Sequence, residues 1–181
     1  EMLEMASLGA KVLQVRSVEL AMVHNVRTFV RSSFEDPNSI PKNGDPPGTL
    51  ICDEEEIVEK QTVTGIAYSR DEAQISLRRV ADKPGVAAAV FGPLAEAHIN
   101  VDMIVQNISE DGSTTDMTFT VPTAEYERAR RVLNDSRANI GFEAVQGSTD
   151  VAKVSVIGIG MRSHAGVAAE VARVLARYDA D

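Results

Sequence analysis

The chain has 181 residues, 44% hydrophobic but only 4% aromatic and without tryptophan, so one compact domain or two small ones must be built on Ala, Val, Ile and Leu. Its formal charge of −9, from 18 Lys and Arg against 27 Asp and Glu, excludes the basic face that general nucleic-acid binding requires. No apolar run approaches bilayer-spanning length, and the lone Cys52 rules out an internal disulfide and fits a reducing compartment.

The acidic start, EMLEMASLGAKVLQ, lacks the basic n-region of a signal peptide; the expectation is a cytoplasmic protein without a membrane partner. Residues 2–9 read as the end of a helix stopped by Gly9. Lys11, Val12 and Leu13 predict a short buried strand. Residues 17–24, SVELAMVH, predict a second helix with Ser17 as N-cap and Asn25 as a left-handed exit. VRTFVRSSF, at 26–34, alternates like a strand. EDPNSIPKNGDPPGT then holds four of the seven prolines and two glycines, the composition of a loop. DEEEIVEK, from Asp53, reads as a solvated acidic connection.

The remainder is regular. It predicts strands at 63–68 and 74–80, a helix at 85–97, strands at 101–107 and 116–121, a helix at 124–135 and a strand at 141–146. From Gln74 this is βαββαβ, a ferredoxin-like α+β unit. A strand at 153–159 and a helix at 166–178 begin the pattern again. ISLRRVADKPGVAA lies on VSVIGIGMRSHAGVAA with a two-residue insertion, and GVAA recurs at 85–88 and 166–169, so one module is present twice. The second copy, a lone βα pair, cannot close a sheet, and the spare strand at 63–68 is positioned to help complete it.

Each repeat places a glycine, Gly85 or Gly166, where a strand gives way to a helix. A helix N-terminus offers unpaired N–H groups and partial positive charge to a carboxylate. Small residues at Gly85, Ala87 and Ala88 allow close approach, and Asp82 answers an ammonium group. Asn100, Asp102 and Gln106, at and beyond the far end of the helix, add polar groups. Together these describe recognition of a free amino acid. The same residues also describe an ordinary Asp-Lys-Pro-Gly turn followed by tight helix–sheet packing, and the pattern alone leaves both readings open.

At these residues the sequence resembles the ACT-domain family, and more closely the regulatory region of the aspartate kinase family. The resemblance is carried by EMASLGAKVLQVRSVELA (4–21), VRSSF (30–34), PGTLI (47–51), VTGIAYSRDEAQISL (63–77), DKPG (82–85), INVDMIVQN (99–107), TTDMTFTVP (114–122) and KVSVIGIGMRSHAGVAA (153–169). It implies tandem ferredoxin-like ACT modules, the second incomplete, preceded by the C-terminal end of an amino-acid-kinase domain. The implied boundaries are a kinase remnant at 1–52, a linker at 53–62, a strand for the second module at 63–73, the first module at 74–149 and the second at 150–181.

Carried over by motif, the resemblance implies an effector site lined by Asp82, Lys83, Pro84, Gly85, Ala87, Asn100, Val101, Asp102, Gln106, Asn107 and Thr115. Met161, Ser163, His164 and Gly166 form the matching turn of the second module. The implied effectors are lysine, threonine or both, bound between modules of a homodimer and inhibiting aspartate phosphorylation. For a separate regulatory subunit, a catalytic subunit is a further partner. Arg162 and Ala165 depart from the family's Met-Lys-Ser-His-Pro-Gly turn, and Arg does not stand in silently for Lys.

Nothing in the sequence supplies the glycine-rich phosphate cradle and lysine that phosphoryl transfer needs. The resemblance puts the catalytic residues, with ATP and Mg, in a kinase domain upstream of Glu1, so no cofactor is expected on this chain. His24, His98 and His164 lack metal-ligand spacing, and helix-end roles are expected for His24 and His98. Cys52, followed by Asp53 to Glu56, is poorly placed for a thiolate nucleophile. Glu170 and Arg173 read as an exposed i,i+3 pair. The rival expectation is a purely structural dimerisation element with no effector response.

Overall fold

A computed structural model of the chain describes residues 1–34, 36, 48–53, 56, 62–108, 112–162 and 164–178. Most of the proline-rich loop and of the acidic segment lies outside these residues, as do Asp111 and Ser163. The chain divides into two compact units, one formed by Glu1–Tyr68 with Val154–Asp181, the other by Ser69–Lys153.

The second unit carries the full βαββαβ order. Strand β3 (Gly65–Ala81, its first residues in the other unit) is followed by helix α3 (Val86–Glu96) and strands β4 (Asp102–Ile108) and β5 (Thr114–Val121). Helices α4 (Tyr126–Asp135) and α5 (Arg137–Ile140) then lead into strand β6 (Ala144–Ile157). The four-stranded sheet has the order β4-β5-β3-β6. β5 is antiparallel to both neighbours, with Ile75 opposite Phe119 and Gln106 opposite Met117.

Alternation decides which face is buried. Ala73, Ile75 and Leu77 of β3 and Met117, Phe119 and Val121 of β5 are fully buried. Between them stand Gln74 and Ser76, Thr118 and Thr120. The helices bring Val86, Val90 and Leu94 of α3 and Tyr126, Ala129 and Leu133 of α4 into the same core, at the i, i+3 to i+4 and i+7 to i+8 spacing of a helical stripe. Phe91 packs edge-on against Phe119, ring centroids 5.3 Å apart.

Both neighbours of β5 carry a bulge. Leu77 and Val80 of β3 pair with Met117 and Thr115, and Asp102 and Val105 of β4 pair with Thr120 and Thr118, so each flanking strand spends one extra residue. In each bulge a non-glycine residue takes a positive φ, Arg79 at 51° and Met103 at 35°. In each, an aspartate accepts that residue's N–H: Asp116 Oδ1 from Arg79 at 2.8 Å and Asp102 Oδ1 from Met103 at 2.8 Å.

The first unit contains helices α1 (Met2–Ser7) and α2 (Val15–Val23), the antiparallel pair β1 (Thr28–Val30) and β2 (Thr49–Ile51), and helix α6 (Val167–Ala176). The Glu1 carboxylate accepts from Thr64 Oγ1 at 2.8 Å and from the Ile159 N–H at 2.9 Å. The hydrogen bond from Ile159 holds it below the ordinary carboxylate range, with Thr64 adding to the effect.

Several elements differ from the sequence expectation. Lys11, Val12 and Leu13 form a turn rather than a buried strand, and Val12 is 75% exposed. α2 begins at Val15, capped by Gln14, because the Gln14 carbonyl already accepts from Ser17 and Val18; Ser17 is inside the helix. Only Thr28–Val30 of the 26–34 segment is strand, and its partner β2 carried no recognisable strand signal. The expected strands at 63–68 and 74–80 are one strand, because the polar stretch between them keeps the pleat. The strands at 141–146 and 153–159 are likewise parts of one 14-residue strand, β6, which starts at Ala144 and ends at Ile157. Within it Gly147 marks close packing: a Cβ there would lie 2.5 Å from the Gln74 carbonyl oxygen and 2.8 Å from the Tyr126 ring. Asn25 does take the expected left-handed conformation, φ 51°, and Arg173 pairs with Glu170. Among the described residues no helix is long and apolar enough to cross a membrane.

Candidate functional site

In the second unit the turn after β3 is built by its backbone. Asp82 N–H donates to Ser113 O at 3.0 Å, and Val86 N–H to Lys83 O at 3.1 Å. Gly85, at φ 87°, caps α3, and no atom lies within 4 Å of where its Cβ would sit. The glycine is therefore required by its conformation and not by crowding. Asp82, Lys83, Pro84, Gly85 and Ala87 are all exposed, so the mouth of α3 opens to solvent.

β4 is the sheet edge, and all seven of its residues are exposed. Its C-terminal end adjoins the Asp82 turn, since Ala81 pairs with Thr114 and Ile108 with Thr115. Asn107 belongs to this end. Thr115 is fully buried and its Oγ1 donates to Asn107 O at 2.9 Å, tying the hairpin together. Asn100, Val101 and Asp102 lie at the other end, roughly 20 Å away at the rise of a strand, and Gln106 lies one residue before Asn107. One turn of chain therefore does not gather the expected residues: it spreads them as two groups along a single exposed edge. Beside the Asn100 end is an open groove of about 450 Å³ lined by Phe91, His98, Ile99, Asn100, Val101 and Ile104.

The Asp102 end also holds groups that the sequence reading missed. Lys153 Nζ pairs with Asp102 Oδ2 and, at 3.0 Å, with Glu72 Oε1. The Lys153 and Glu72 side chains are each 12% exposed, that of Asp102 63%. The Lys153 hydrogen bond, then that of the Met103 N–H, holds Asp102 below its ordinary range. Burial pushes the Lys153 ammonium down, but its hydrogen bonds to Asp102 and Glu72 outweigh this and leave it raised. The only sequence signal was a lone lysine opening the apolar run KVSVIGIG.

The second turn lies in the other unit. Ile159–Arg162 is a 3-10 turn, His164 Nδ1 lies 2.8 Å from Gly160 O, and Gly166, at φ 100°, caps α6 as Gly85 caps α3. Met161 N–H donates to Gly158 O at 3.2 Å and is accepted there as part of the same turn. The repeat in sequence is thus a repeat in backbone geometry.

Residues 74–138 match the ACT domain family model. Over 178 residues the chain is 53% identical to an aspartate kinase of Pseudomonas fluorescens, a match covering 98% of this chain and 41% of that protein. The chain thus spans about two fifths of the length of the curated relatives it matches. A solved structure of aspartokinase alpha and beta subunits shares 46% identity at a TM-score of 0.58, over 64% of this chain and 75% of that one. The ligand-free regulatory subunit of aspartate kinase from Thermus thermophilus shares 40% identity at a TM-score of 0.58, over 65% of this chain and 76% of that one.

Proposed function

The chain belongs to the aspartate kinase family and carries its ACT-bearing regulatory region, and from that premise we propose that it is an allosteric sensor of free lysine or threonine. One observation carries the reading: the two groups of candidate residues sit at opposite ends of one exposed edge strand. A two-fold axis through the middle of β4 makes an antiparallel pair with the β4 of a second copy. That pairing sets the Asp82 turn of one copy beside the Asn100–Asp102 end of the other, twice. Each site then has a helix N-terminus and backbone N–H groups for a carboxylate, with Asp82 and Asp102 for an ammonium. The exposed Met103, Ile104 and Val105 are apolar surface for the same contact.

In this reading residues 74–149 are the first module, 150–181 open the second, 63–73 lend it a strand, 53–62 are a linker and 1–52 close a kinase domain. Effector binding favours one arrangement of the paired chains, and ATP-dependent aspartate phosphorylation by the kinase domain falls in it. A coupling of about 1–3 kcal/mol is enough.

The rival, a dimerisation element without effectors, draws on the same apolar edge and on the internally satisfied Thr115 hydroxyl. Thermal unfolding of the chain with each of the twenty amino acids separates the two. A ligand of the folded state raises the midpoint as RT ln(1 + [L]/Kd). A concentration-dependent rise confined to lysine or threonine is expected; the same midpoint with all twenty would sink the sensor.

A further inference from the structure

The cluster at the start of β4 is more than a strand clamp. An ammonium group has three N–H donors and no acceptor. Two carboxylates, Asp102 and Glu72, meet the single ammonium of Lys153. A third acceptor stands next to Asp102: Thr120 pairs with it across β4 and β5, so the two side chains share a face of the sheet. Thr120 is 8% exposed, and its Oγ1 is buried without a hydrogen-bond partner among the described residues. A buried hydroxyl left unpaired costs free energy, and two carboxylates against one cation leave a net negative charge. The group of acceptors therefore has more capacity than Lys153 uses. Lys153 reaches it from a strand other than β4, on a flexible four-carbon stem, and its Asp102 partner is mostly open to solvent.

We propose that Asp102, Glu72 and Thr120 form a pocket for a primary ammonium group and that Lys153 is its tethered occupant, so that an amino acid entering at this end of β4 must displace the chain's own lysine. The proposal rests on the reading of β4 as an effector-binding edge. Lys153 then sets the threshold concentration: a competitor held in the chain weakens every free ammonium ligand by the same factor. A ligand with a second ammonium on a long flexible stem, as lysine has, is the chemical copy of the group it replaces.

The test compares the 181-residue chain with its Lys153→Met variant, which keeps the buried stem and removes the charge. Affinity for L-lysine is measured by calorimetry, and melting is followed with n-butylammonium and, at equal ionic strength, tetramethylammonium, which has no N–H. Lys153→Met is expected to bind L-lysine at least tenfold more tightly than the parent. Its melting midpoint should rise with n-butylammonium and not with tetramethylammonium, and adding Asp102→Asn should abolish that rise. Equal effects of the two cations on Lys153→Met would overturn the pocket. Rescue by n-butylammonium without any gain in L-lysine affinity would uphold the pocket and overturn the amino-acid reading of the edge. Should Lys153→Met not fold, the Glu72→Gln/Lys153→Met pair leaves no buried carboxylate uncompensated and carries the same comparison through Asp102 and Thr120.

Discussion

Asp102 and Asp116 perform the same task at two places. Each accepts the N–H of a bulge residue held at positive φ, and each is paired with a cation, Lys153 for Asp102 and Arg78 at 2.6 Å for Asp116. Both carboxyls are lowered, Asp102 chiefly by Lys153 and Asp116 chiefly by the Arg79 N–H and then Arg78. A lowered carboxyl stabilises the fold fully above its unfolded pKa of about 4, and that contribution disappears as pH falls through the lower folded value. The raised Lys153 has the opposite sign: its contribution is complete below about 10.4 and is lost as pH rises through the folded value. The melting midpoint is therefore expected to be level from about pH 5 to 9 and to fall below about pH 4. Circular-dichroism melts from acid to alkali check this, and Asp102→Asn should shallow the acid limb.

At the scale of elements, the glycines separate two kinds of constraint. Gly147→Ala places a methyl group against the Gln74 carbonyl and the Tyr126 ring, and a cost on the order of 2–3 kcal/mol is expected for overpacking against backbone. Gly85→Ala meets open space and should lose only about 1 kcal/mol to its positive φ. Urea unfolding of both variants gives the ranking, and a larger loss at Gly85 would contradict it. The same pair shows what was legible in sequence. Gly85 was readable because a turn glycine before a helix has a local cause. Gly147 drew no reading from the sequence, because its cause is the Tyr126 ring, far away along the chain. The helices α3 and α4 and the strands β4 and β5 followed from their own periodicity. The joined strands did not, because the consecutive polar residues Arg70 and Asp71, both exposed, look like a break in sequence. The Lys153–Glu72–Asp102 cluster was invisible for the same reason: its members are 30 and 51 residues apart along the chain, and only the sheet brings them together.

For the whole molecule, the exposed strand β4 is the feature that asks for a partner. Unpaired edges are commonly blunted with charge or proline, yet β4 presents Met103, Ile104, Val105 and Ile108 to solvent. If β4 pairs with a second copy, Ile104→Lys breaks the pair at its centre without touching the core, since Ile104 is itself exposed. Sedimentation velocity should then show a monomer where the parent is a dimer, with little change in far-ultraviolet circular dichroism. A parent that is already monomeric over the micromolar range would remove this edge as the assembly surface. The sequence alone gave the partner only through resemblance, because exposure of an apolar strand depends on which strands lie beside it.

The bulges carry one more implication, for chain length. Between Leu77 and Val80 strand β3 spends three steps where β5 spends two, so Arg79 is surplus to the pairing. A chain from which Arg79 is deleted keeps Leu77 and Val80 facing the core, loses a non-glycine residue at positive φ, and needs no compensating change on β5. Deleting Gln74, in the regular part of the same strand, instead turns every following or preceding side chain to the wrong face. Urea titration should find the first deletion within about 1–2 kcal/mol of the parent and the second unfolded. Natural length variation in this sheet is then expected to gather at its two surplus residues, Arg79 and Met103, and to spare β5.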